Sequence, residues 1–163
     1  MNIIERHVYS LGLCTNNPSI RFKVRLVENA GEAIRNGHCS FVKPMNKTCH
    51  KLYIIGFANR TVVYVGEAKI SMSARLIRGL NPRGKHGYGY KWRDLRCPLR
   101  LAVWAFDSST ERNDLEAIEA EVALLVRLHS GRWPSHQNEI HFQNTARGDH
   151  WRVACKIMCE WDA

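Results

Sequence analysis

Two tyrosines, an arginine and a glutamate are the residues of this chain whose types and spacing could do chemistry. Tyr53 lies in a β-branched and aromatic run at 52–57, and Tyr64 in a second run at 61–65. Such runs suit a pleated surface. The Ala58-Asn59-Arg60 link between them suits a tight turn, because Asn tolerates the left-handed backbone that hairpins need. With an even loop centred on Asn59-Arg60, Ile55 falls opposite Tyr64. Tyr53 then shares a face with Tyr64, since side chains alternate along a strand. Two phenols on one face are either a packed cross-strand pair or a pair of reacting groups. Gly66 follows the second run and permits a sharp turn or a close approach. The next stretch, 70–80, reads as a helix capped by Ser71 or Ser73 and carrying Arg75 and Arg78.

The elements that must position these groups come later in the chain. Residues 99–106 are nearly all apolar, as expected of a central strand covered on both faces. A long helix is expected at 115–129, capped by Asp114. Its apolar face on a wheel of about 100° per residue is Leu115, Ile118, Val122, Leu125 and Leu128. Glu116 and Arg127 fall on the wet side and Glu119 at the edge, while Glu121 falls within the apolar arc. A carboxylate facing the body of a protein is costly unless it is paired or binds a metal. Glu121 therefore pairs with an arginine, bends out past the rim, or holds a cation. A last helix is expected at 149–161, capped by Asp149.

In order along the chain, Lys51-Leu52-Tyr53, Tyr64-Val65-Gly66, Arg75, Glu121 with Leu124-Leu125 one turn later, and Asn138 together resemble the GIY-YIG nuclease superfamily. The resemblance spans 51–138. Lys51 stands where the family usually has Gly. Gly79 stands where many members carry His or Tyr, and His86 or Tyr88 on the following loop could supply that group. The resemblance implies a metal-dependent endonuclease of restriction, repair, mobile-element or toxin type. Tyr53 or Tyr64 would take a proton from water or position it, and Arg75 would bind the scissile phosphate. Glu121 would hold Mg²⁺ or Mn²⁺, and Asn138 would orient the site. A free phenol titrates near pH 10, so nearby cations, Lys69 and Arg75, are expected to lower it. The implied fold is α/β of the α+β kind: a small, mainly antiparallel, three-stranded central sheet flanked by helices. Residues 50–145 form the nuclease core, 1–49 an N-terminal extension packed on or beside it, and 146–163 a C-terminal helix.

Charge points the same way. The 163 residues carry a formal net charge of +9, which favours a polyanionic partner, nucleic acid before membrane; the resemblance implies DNA more than RNA. The stretch 80–98 interleaves cations and rings: Lys85, His86, Tyr88, Tyr90, Lys91, Trp92 and Arg93. It reads as a glycine-rich loop that either contacts nucleic acid or tucks its aromatics onto the core. Within 1–49, residues 21–27 read as a half-exposed strand and 28–36 as a short helix. No apolar run approaches a membrane span. Glu5 and Arg6 interrupt any leader-like start, so a cytoplasmic location with six reduced cysteines is expected. Two other readings stay open: a catalytically silent nucleic-acid-binding module, and a basic adaptor for a protein partner. Oligomeric state is not legible.

Overall fold

The computed structural model describes residues 1–13, 22–29, 40–80, 89–137, 140, 142 and 147–163. Five strands form one sheet: β1 (Ile3–Leu13), β2 (Phe22–Asn29), β3 (Lys51–Gly56), β4 (Val62–Ala68) and β5 (Leu99–Phe106). The order is β2-β1-β5-β3-β4 and every pairing is antiparallel. Three helices accompany it: α1 (Met72–Leu80), α2 (Arg112–Ser130) and α3 (Gly148–Asp162). The α+β class stands, with five strands in place of three. The N-terminal segment is part of the sheet itself, because β1 pairs with β5 along its length and carries β2 on its other side.

The central strand explains the two cores. Leu99, Leu101, Val103 and Ala105 of β5 face one side, with Tyr53, Tyr64, Met72 and Leu76. Ala102, Trp104 and Phe106 face the other, with Leu115, Ile118, Val122, Ile157 and Trp161 of α2 and α3. A strand buried on both faces has no polar side, which is why it reads as one apolar run. α3 is seated by two indoles. The Trp104 Nε1–H donates to Glu160 at 2.6 Å, and the Trp161 Nε1–H to the Arg60 carbonyl at 2.8 Å. Gly56 leaves room for Trp161: a Cβ there would lie 2.5 Å from its ring.

Several boundaries move. Residues 28–29 end β2 and do not start a helix; 30–36 lie outside the described residues. Asp114 is the third residue of α2, closing a capping box on Glu111. α3 starts at Gly148 with Arg147 as its cap, so Asp149 lies inside the first turn. Within 80–98, Lys91–Asp94 form a 3₁₀ turn. No helix among the described residues is long and apolar enough to cross a membrane.

Candidate functional site

The hairpin of β3 and β4 pairs Ile55 with Tyr64 and Tyr53 with Gly66, which sets both phenols on one face with ring centroids 5.9 Å apart. The Tyr53 ring lies over Gly66, where a Cβ would fall 2.6 Å from its hydroxyl; the glycine is there for that approach. Ser71 caps α1 by accepting the Ala74 N–H at 3.3 Å. Met72 and Leu76 anchor the helix in the core, and Arg75 comes against the phenols. Its Nε–H donates to Tyr53 Oη at 3.3 Å.

A third phenol completes the cluster. Tyr90, expected on a contact surface, is 3% exposed. Its ring stacks on Trp92 at 4.9 Å and meets Tyr64 edge-on at 5.3 Å. Its hydroxyl lies 2.8 Å from Tyr53 Oη. Of the two readings of this stretch, the second holds for Tyr90 and Trp92, whose rings are taken into the core. Lys91 and Arg93 stay closer to the surface, where Lys91 Nζ donates to the Gln137 carbonyl at 3.1 Å and Arg93 lies 3.6 Å from Asp94. Lys85, His86, Tyr88 and Asn138 lie outside the described residues.

Glu119, rather than Glu121, is the α2 carboxylate that acts electrostatically on Tyr64, Tyr90 and Arg75. Burial pushes the Glu119 pKa up to about 8; Glu67 and Glu116 add to the rise and Arg75 opposes it. Glu119 in turn acts on Tyr64 and Tyr90. Glu119 and Glu121 are both half-buried, and neither makes a hydrogen bond or ion pair with other described residues; the difference lies in which face of α2 each takes. The physical reason lies in the alanines of α2. Leu128 is 63% exposed, whereas Ala123 and Val126 are buried. This turns the buried arc so that Glu119 falls between Val126 and Ala123 on the wheel. The helix contacts β4, the edge strand, and from there the Glu119 carboxylate acts on Tyr64, Tyr90, Arg75 and Glu67.

Electrostatics decide what the phenols can do. Burial pushes Tyr53 well above its ordinary value, with Tyr90 and Tyr64 adding to the rise, and pushes Tyr64 up as well; Arg75 pulls both back. Arg75 is thus the cation acting on them. Lys69 lies on the wall of an adjoining cleft of about 280 Å³, lined also by His50, Glu67, Arg75, Arg78 and Arg112. The His50 Nδ1 is buried there with no hydrogen-bond partner among the described residues. Lys51 lies beneath the backbone of this region. It is fully buried, and its Nζ donates to the carbonyls of Lys47, Cys49 and Ile70 at 2.7, 2.8 and 3.1 Å.

Gln137 was missed as well. Its side chain caps both backbone groups of Val65, accepting the N–H at 2.9 Å and donating to the carbonyl at 3.0 Å. It thereby holds the edge of β4 between Tyr64 and Gly66. Among the described residues no three His, Cys, Asp or Glu side chains gather as a metal group. Glu119 and Glu67 supply a pair of hard oxygen donors whose mutual repulsion a divalent cation would relieve, and Mg²⁺ commonly takes its other ligands from water and substrate. No family model matches the chain, and neither a curated protein nor a solved structure matches it.

Proposed function

We propose that this chain is a metal-dependent endonuclease that hydrolyses phosphodiester bonds, in DNA rather than RNA, on a site of the GIY-YIG kind. One observation carries the reading. Arg75 is hydrogen-bonded to Tyr53, acts electrostatically on Glu119, and lines a cleft whose other walls bear Lys69, Arg78, Arg112 and His50. A guanidinium whose Nε is already engaged keeps its two Nη groups for a phosphate, where paired donors match paired oxygens.

In this reading Arg75 binds the scissile phosphate and the cleft cations take its neighbours. Glu119, with Glu67 beside it, would hold Mg²⁺ or Mn²⁺, which supplies charge neutralisation at the phosphoryl group and help for the leaving oxygen. Tyr64 would orient the attacking water by hydrogen bonding, while the Tyr53 hydroxyl, engaged by Arg75 and Tyr90, backs it from the core. With their pKa values raised by burial, the phenols serve better as partners of a water than as strong bases.

The same raised values favour the second reading, a binding module without turnover. Incubating supercoiled plasmid with the protein, with and without Mg²⁺, separates the two. Nicking or linearisation that requires the cation supports the enzyme. Retention of plasmid on the protein with no cutting at any Mg²⁺ or Mn²⁺ concentration supports the silent module.

A further inference from the structure

The three phenols reach the cluster by different routes. Tyr53 and Tyr64 stand on paired strands, whereas Tyr90 comes from the segment ahead of the 3₁₀ turn and occupies space that Gly79 leaves open. A Cβ at Gly79 would lie 1.7 Å from the Tyr90 ring, and the Tyr90 N–H donates to the Gly79 carbonyl at 2.8 Å. The ring is therefore seated on the last turn of α1, at Gly79, one turn (four residues) after Arg75.

The hydroxyl then closes a circuit. Arg75 Nε–H donates to Tyr53 Oη at 3.3 Å, Tyr53 Oη lies 2.8 Å from Tyr90 Oη, and the Tyr90 O–H donates to the Arg75 carbonyl at 3.4 Å. With the Tyr90 hydrogen on that carbonyl, the Tyr53 hydrogen points to Tyr90. Each of the three donors is used once, and the circuit starts and ends on Arg75. Burial pushes both phenols up, so both hydroxyls keep their protons for this circuit. The Arg75 guanidinium also lies 5.7 Å from the centre of the Tyr90 ring, within cation–π range.

We infer that Tyr90 is a positioning residue for Arg75: acting through Tyr53 and the Arg75 carbonyl, it pins the Nε edge of the guanidinium so that the Nη edge faces the cleft. The consequence for turnover rests on the phosphodiesterase reading; the circuit itself does not.

Two measurements on the full chain keep these apart. The first is nitrogen–proton NMR of the Arg75 Nε–H, assigned by its disappearance in Arg75→Lys. In the parent it should exchange slowly with water. In Tyr90→Phe, which keeps the ring on Gly79 and removes only the hydroxyl, exchange should speed up tenfold or more, as it should in Tyr53→Phe. The second is plasmid cleavage, where Tyr90→Phe should lower kcat at least tenfold with KM within about twofold, roughly the loss expected when a reacting geometry slips. Adding Tyr90→Phe to Tyr53→Phe should cost little more, because the two act as a unit. Unchanged Nε–H exchange in Tyr90→Phe overturns the circuit whether or not the parent cuts DNA. Faster exchange with parental kcat, or additive losses in the double variant, overturns its role in turnover. A parent that never cuts DNA removes the endonuclease reading and leaves the circuit to be decided by the NMR alone.

Discussion

In the metal-free protein Glu119 holds its proton into the neutral range, because burial pushes its pKa up to about 8, with Glu67 and Glu116 adding and Arg75 opposing. The ordinary value is 4.5, so between the two the folded chain binds a proton that the unfolded chain releases. Stability from this group is full below the lower value, declines as pH rises through the window, and is lost above the upper one. Glu119→Gln carries no such proton. Its stability, measured by urea unfolding without metal, should match the parent near pH 4 and exceed it above pH 8; a gap that stays constant across this range would remove Glu119 from the buried cluster. The residue was legible in the sequence as an edge carboxylate and no more. Apolar periodicity weights large side chains, and it was the small Ala123, buried beside it, that marked the true face.

At the scale of elements, the β3–β4 hairpin was legible because two β-branched and aromatic runs flank a short turn, and the shared face of Tyr53 and Tyr64 followed from an even register. β1 was not. Its inward side chains include polar groups that satisfy one another: His7 is fully buried, 2.6 Å from Glu5 and 3.1 Å from the Tyr9 hydroxyl. A buried hydrogen-bonded array breaks the apolar alternation on which a strand assignment rests. Tyr90 was hidden for a different reason, since nothing local says that a ring will pack on a glycine eleven positions back. Gln137 could be recognised only from the strand edge it caps. Gln137→Ala removes two hydrogen bonds to Val65 and should lower stability by about 1–3 kcal/mol, with faster amide hydrogen exchange at Val65 than elsewhere in β4. Uniform exchange across the strand in this variant would mean that Gln137 does not hold the edge.

For the whole molecule, the +9 charge acquires a location. Lys69, Arg75, Arg78 and Arg112 meet at the cleft beside the phenols, together with Glu67. If those four cations each neutralise one phosphate, the logarithm of the binding constant for duplex DNA should fall by about 3.6 per tenfold rise in salt. Binding insensitive to salt would argue against a phosphate-tracking cleft. In the proposed endonuclease, chemistry and charge converge on a single carboxylate of α2. The direct test is Mg²⁺-dependent cleavage of supercoiled plasmid by the parent, Glu119→Gln and Glu121→Gln, each confirmed to bind DNA. Cleavage should be lost in Glu119→Gln and kept in Glu121→Gln; cleavage kept in Glu119→Gln, or lost only in Glu121→Gln, would contradict a metal site built on the buried face of this helix.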